Sequence, residues 1–157
     1  MSKEINKGVV LNVTLLGHER IDFEMPIIRK ALMKGAQITR KEARRLVSRK
    51  AISGSGDFPG RDSGALFRSI KIISKGRNWV KVGPAKTAEM GEHFYPAFLS
   101  YGVTGKPRRK DHKAQVKNGT WRIAPRANYM TEALQIKRLE IQAIIREALF
   151  HSLKPRK

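Results

Sequence analysis

Asp62-Ser63-Gly64-Ala65-Leu66-Phe67-Arg68-Ser69-Ile70-Lys71-Ile72-Ile73-Ser74 carries the chain from a turn directly into a strand. Asp62 and Ser63 have short, oxygen-bearing side chains that cap helix N-termini, so one short helical turn through Leu66 and Phe67 is expected. Gly64 supplies the conformational freedom needed where the loop turns toward the sheet. From Ser69 to Ser74 the pattern alternates, and a second alternating run spans Trp79–Gly83. Ile70 and Ile72 on the first strand and Val80 and Val82 on the second then share paired faces. Lys75-Gly76-Arg77-Asn78 between them reads as a hairpin turn. Upstream, residues 9–16 (Val9-Val10-Leu11-Asn12-Val13-Thr14-Leu15-Leu16) are rich in branched residues, end at Gly17 and read as a third strand.

Helices flank this sheet in the sequence. From Phe23 to about Lys50, Ile28, Leu32, Gly35, Ala43 and Leu46 recur on one face, with Pro26 acceptable in the first turn. The other faces carry Arg29, Lys30, Lys34, Arg40, Lys41, Arg44, Arg45, Arg49 and Lys50, with Glu42 as their only acid. Such a helix would be roughly 40 Å long. Near the end of the chain, Met130, Leu134, Ile141, Ile144, Ile145, Ala148 and Leu149 mark a second amphipathic helix, and Lys154-Pro155-Arg156-Lys157 is expected to fray. The fold class is therefore α+β: a small antiparallel sheet packed against a long helix in the N-terminal half and a C-terminal helix. At 157 residues, a single domain over 1–157 is expected.

Three connecting segments stand apart. Ser53-Gly54-Ser55-Gly56-Asp57-Phe58-Pro59-Gly60, with Arg61, reads as a flexible loop over 53–61. Phe94–Tyr101 reads as a short buried turn of helix stopped by Gly102. Residues 103–124 hold Lys106, Arg108, Arg109, Lys110, Lys113, Lys117 and Arg122 against Asp111 alone, and Asn118-Gly119 lies between strand-like residues. Asn-Gly in that setting is a strong hairpin signal, so a basic hairpin extension is expected.

Lys and Arg number 33 against 13 acids, a net charge of +20, which favours a polyanionic partner or a solvated assembly surface. The hydrophobic fraction of 40% is too high for a disordered basic tail. With no cysteine, a disulfide framework and thiolate metal sites are excluded, and assembly in a reducing cytoplasm fits. No apolar run approaches about 18 residues and Met1–Gly8 is polar, so a soluble chain without membrane contact or cleavable signal is expected.

Signs of catalysis are sparse. His18, His93, His112 and His151 are scattered, and Glu89, Glu92 and His93, the nearest approach to a cluster, read as a solvated turn. Ser53-Gly54-Ser55-Gly56 is not followed by Gly-Lys-Ser/Thr, and Ser63 has no partner histidine at an informative position. No catalytic, metal or cofactor-binding residue is assigned, and no enzyme or cofactor is expected. Trp79, Tyr95 and Tyr129 read as core residues, whereas Trp121 is a candidate for stacking on a base.

Asp62–Ile70, Phe94–Gly102 and Pro125-Arg126-Ala127-Asn128-Tyr129-Met130-Thr131-Glu132-Ala133-Leu134 occur in a fixed order behind a basic amphipathic helix. Together they resemble the tail-completion (head–tail joining, or neck) proteins of long-tailed bacteriophages. That family repeats a D-[ST]-G-x-L-x-x-S-I step, a Y-A-x-x-x-x-x-G step and a [RP]-x-x-F/Y-[LM]-x-x-A-L step. The resemblance covers roughly residues 23–150 and departs from the pattern in the basic stretch 103–124. It implies structural roles for Asp62, Gly64, Leu66, Ile70, Tyr95, Gly102, Tyr129, Met130 and Leu134. It further implies a virion protein of the neck, assembled in the host bacterial cytoplasm, that joins the DNA-filled head to the tail without catalysis. Its partners would be copies of itself in a ring, neighbouring head-completion, tail-terminator or tube proteins, and passing DNA. Concentrated charge marks Arg40, Arg44, Arg45, Arg108, Arg109, Lys110, Lys113 and Lys117 as the residues that face DNA or acidic partners. The alternative is a basic nucleic-acid-binding module of ribosome- or nucleoid-associated type, which accounts for the charge through phosphate neutralisation. A small nuclease would need a carboxylate or histidine cluster that the acids do not form.

Overall fold

The computed structural model describes residues 8–14, 21–48, 53–92, 94–104 and 121–155. In chain order the elements are β1 (Val9–Asn12), β2 (Ile21–Phe23), α1 (Met25–Leu46), α2 (Ala65–Ser69), β3 (Ile70–Lys75), β4 (Trp79–Pro84), a single 3-10 turn (Ala88–Met90), α3 (Tyr95–Tyr101), β5 (Val103–Thr104), β6 (Trp121–Ile123), α4 (Tyr129–His151) and β7 (Leu153–Pro155). This is an α+β fold, with the main sheet antiparallel in the order β1-β4-β3.

Alternation along the strands decides which face of that sheet is covered. Leu11 pairs with Val80 and Ile72 with Val82, and Leu11, Val80, Val82 and Ile70 are buried. Val10 and its partner Lys81 lie on the other face, where Val10 is exposed. A bulge between Ile72 and Ser74, which alternation did not indicate, turns the end of β3. The hairpin at 75–78 closes through Gly76 N–H on the Trp79 carbonyl at 2.9 Å.

α1 covers β3 and β4, while α4 packs chiefly on α1 and meets the sheet along β1. Small residues make that arrangement possible. A Cβ on Gly35 would stand 3.1 Å from Ile141 Cγ2 and 3.3 Å from Leu11 Cδ2, so helix, helix and strand meet at one point. Ala36 and Ala43 on α1 and Ala133 on α4 are fully buried nearby. α1 ends at Leu46 rather than Lys50, and its 22 residues span about 33 Å. Ser48 explains the stop: its hydroxyl and its backbone N–H both donate to the Arg45 carbonyl, at 2.6 and 3.2 Å. β1 is likewise shorter than the expected 9–16, ending at Asn12, and residues 15–20, 49–52 and 105–120 fall outside the description.

Three further expectations are corrected. The α2 N-cap is Gly64 at φ 79°, not Asp62 or Ser63: Asp62 is exposed, and Ser63 Oγ accepts only the Ala65 N–H at 3.3 Å. A side chain at Gly64 would be strained and would meet Arg68 Nη1 at 2.8 Å, so glycine is required there. α3 is not buried as a block, since only Pro96 is enclosed while Phe98, Ser100 and Tyr101 are exposed. The C-terminal segment does not fray through Pro155. β7 pairs antiparallel with β2, Glu24 N–H bonds the Ser152 carbonyl at 2.8 Å, and Lys154 pairs with Glu24. This ribbon ties the start of α1 to the end of α4.

The glycine-rich loop at 53–61 also carries tertiary bonds. Gly56 N–H donates to the Pro125 carbonyl at 3.3 Å and Ala127 N–H to the Asp57 carbonyl at 3.0 Å, and Pro59 is buried. Asp57 Oδ2 accepts the Gly54 N–H at 3.0 Å and shapes the turn. Asp57→Ala should speed hydrogen exchange at Gly54, Gly56 and Ala127 relative to the wild type; unchanged exchange at all three would show that the clasp does not hold in solution. In the core beneath it, Leu66 is 3% exposed. Leu66→Ala should lower stability by about 2–4 kcal/mol in thermal or denaturant melts, because the rigid surroundings leave a cavity.

Candidate functional site

The three segments that are separate in sequence come together in space. α2 from the first, Tyr95 and Leu99 of α3 from the second, and Arg126 from the third line one open groove of about 1250 Å³. Leu66, Phe67, Met90, Tyr95 and Leu99 give it an apolar floor, and Arg61, Asp62, Glu89 and Arg126 give it charged sides.

Each wall has a local cause. Burial raises the Tyr95 hydroxyl's pKa, and the nearby Leu66 backbone only partly offsets it. Arg126 N–H donates to the Leu99 carbonyl at 2.7 Å, fixing the third segment against α3. Asn128 Oδ1 then caps α4 by accepting the N–H groups of Met130 and Thr131, at 3.1 and 3.2 Å. That cap sends Tyr129 and Met130 inward, where they are 4% and 5% exposed. Burial pushes the Tyr129 phenol far up, so it is a neutral structural group at any ordinary pH. Leu134 is half-buried against the same core.

Gly102 closes the far end of α3 at φ 72°, its N–H on the Phe98 carbonyl at 2.8 Å. A Cβ there would come within 2.6 Å of the Trp121 ring, so Trp121 packs where only glycine fits. β5 and β6 pair antiparallel directly beyond it, with Val103 opposite Ile123. This pairs Trp121–Ile123 with 103–104, whereas the hairpin expected around Asn118-Gly119, with Arg108, Arg109, Lys110, Lys113 and Lys117, lies outside the described residues.

The α1 arginines divide by task. The Arg44 guanidinium lies over the Phe67 ring at 5.2 Å and donates to the Ile70 carbonyl at 3.1 Å, and Arg61 lies over the same ring at 4.7 Å. Burial, and then the neighbouring Arg40 charge, lower the Arg44 pKa from the usual arginine value. Arg44 thus serves the fold as well as the surface. Arg45 is held by Glu42 through two bonds of 2.6 and 2.9 Å. Arg40 makes no hydrogen bond or ion pair among the described residues, and with Lys41 it lines a shallow depression above Phe67. Across the groove, Arg68 pairs with Glu89 at 2.8–3.0 Å, and hydrogen bonding to Arg68 holds the Glu89 carboxyl below its ordinary pKa. Arg126 Nε is enclosed without a hydrogen-bond partner among the described residues. A buried donor left in that state is costly.

Arg61, Phe67, Arg126 and the Arg68–Glu89 pair were not singled out as a site from the sequence. Their connection runs through α2, whose fold was visible but whose neighbours were not. Glu42, which the sequence pattern places among the basic residues away from the apolar face, is only 6% exposed. Its position one heptad after Gly35 was a usable signal, since residues seven apart share a helix face. Among the described residues no group of three or more His, Cys, Asp or Glu could hold a metal ion, and no helix is long and apolar enough to cross a membrane. No family model matches the chain, and neither curated proteins nor solved structures provide a significant match.

Glu42 yields a pH test. Its pKa is lowered, first by the Arg45 hydrogen bond, so its contribution is present above the unfolded-state pKa and is lost as pH falls through the folded value. Glu42→Gln should melt below the wild type at pH 7, and the two melting curves should converge as pH drops below about 4. A constant gap across that range would show that the charge on Glu42 contributes nothing.

Proposed function

We propose that the chain is a structural component of a tailed-bacteriophage neck, of tail-completion type, that joins the DNA-filled head to the tail in a ring of its own copies. The observation that carries this reading is the convergence of three sequence segments, each resembling that family, on one groove. The groove suits a docked segment of a neighbouring protein with an apolar side and a carboxylate. Phe67, Tyr95 and Leu99, which are half-buried, receive the apolar side, while the Arg61 and Arg126 guanidinium groups receive the acid. The neighbours are head-completion, tail-terminator or tube proteins, and the location is the virion. The basic surface passes DNA rather than gripping it, because a ring bound firmly to the genome would hinder its passage.

A direct test uses extracts containing unjoined heads and tails from a phage lacking its own copy of this gene. Adding the purified chain should restore joined particles, counted by electron microscopy. Arg40→Glu with Arg61→Glu, and separately Arg108→Glu with Arg109→Glu and Lys110→Glu, should abolish joining while the variants stay folded. Normal yields with both sets, or no joining with the wild-type chain, would overturn the reading.

The second reading, a nucleic-acid-binding module, is favoured by the +20 charge and the Arg44–Phe67–Arg61 stack. It requires tight binding to free DNA that weakens with salt at a log–log slope near −5, for about six phosphate contacts. Neck docking instead predicts little affinity for free DNA at physiological salt.

A further inference from the structure

We propose that the outward face of α4 is a docking surface for the same face of a second copy of this chain. Ile136, Leu139, Ala143 and Phe150 follow one another at steps of three, four and seven residues, the spacing of a helix-to-helix seam. They lie opposite the stripe that Met130, Ala133 and Ile141 bury against α1 and the sheet. Ile136 is 48% exposed, Leu139 80% and Phe150 72%. A single exposed apolar side chain is ordinary, but three large ones aligned over about 21 Å of one helix form a stripe. Their exposed surface, roughly 350 Å², falls in the range of the largest apolar patch of a typical monomer, a patch that is often functional.

Charge selects the occupant. α4 carries Lys137, Arg138 and Arg146 against Glu132, Glu140 and Glu147, so it is formally neutral within a chain of net charge +20. α1 carries seven Lys and Arg against Glu42 alone. Two copies therefore repel through α1 but not through α4, whereas an acidic partner is drawn to α1 and the groove and gains nothing electrostatic at a neutral face. Ala143, midway between Ile136 and Phe150, lets two helix backbones approach closely. One helix pair covers less than the roughly 1,600 Å² of a standard interface, so the association depends on concentration. Salt should strengthen it by screening the repulsion between the basic bodies, the opposite of its effect on binding an acidic protein.

Sedimentation equilibrium of the full chain, from micromolar to millimolar concentration at low and high salt, tests this. The mass should move toward twice the monomer as concentration rises, and further at high salt. Leu139→Glu with Phe150→Glu should remain monomeric under the same conditions, and the milder Leu139→Ser should weaken association several-fold. Both variants should keep the wild-type melting temperature at low concentration, since these side chains contribute little to the isolated fold. A wild-type chain that stays monomeric at millimolar concentration and high salt would overturn the proposal. So would variants that associate as strongly as the wild type. Variants that melt early while still dilute would overturn it too, because that result would show the stripe covered by the chain itself. The inference rests on the exposed stripe and the neutral charge of α4, not on the groove, so a dimer that fails to join heads to tails would support this surface and refute only the neck function.

Discussion

Gly35 is the contact on which the rest of the structure depends. With hydrogen in place of a side chain there, α1 lies against Ile141 of α4 and Leu11 of β1 at once. A leucine at this position would separate all three elements, and overpacking of that kind typically costs more than the added contacts return. The alanines at 36, 43 and 133 extend the same requirement along the helix pair. Because α1 and α4 are close, β2 and β7 reach each other at one end of the pair, and Asn128 can start α4 beside α3 at the other. The groove is a consequence of that second junction: its third wall is the chain leading into α4.

The charge of the chain imposes a second constraint. A body of net charge +20 opposes its own compaction, so apolar burial and local neutralisation must hold it. The few acids are placed accordingly. Glu24, Glu42, Glu89 and Glu140 each pair with a base, and Asp57 closes the loop turn at Gly54. Three of those ion pairs are exposed enough to contribute little to stability. Glu42 differs, because it is buried and must keep Arg45 to remain there. Arg40 and Lys41, in contrast, have no acid against them among the described residues. Arg44 and Arg61 are held against an aromatic ring instead, and Arg44 also donates to the Ile70 carbonyl.

Much of this was legible in the chain because it follows from local rules. Period-two alternation located β3 and β4, the helical period located α1 and α4, and Gly64 and Gly102 stand where positive φ is required. Leu66 and Ile70 were expected in the core and are there. What the sequence concealed depends on contacts between distant segments. β7 has no strand signal of its own, since Leu153-Lys154-Pro155 becomes a strand only because Ile21–Phe23 lies alongside. The loop at 53–61 has the composition of a flexible linker, and its bonds to Pro125 and Ala127 involve backbone groups that every residue carries. Arg126 was visible as part of a motif, but the enclosure of its Nε depends on segments distant in sequence.

The two surfaces assigned to partners use opposite faces of α4. Tyr129, Met130 and Ala133 face inward, behind the groove, whereas Ile136, Leu139 and Phe150 face away from it. A helix apolar on both faces has only a weak overall amphipathic signal, so its outer stripe is easily read as excess core. The exposures separate the two: Ile141 is 3% exposed, and Leu139, two residues earlier, is 80% exposed. Because the stripe and the groove do not share side chains, a second copy seated on α4 would leave Arg61, Phe67 and Arg126 accessible. A face-to-face contact of this kind closes at two copies, so self-association through α4 and docking in the groove can proceed together.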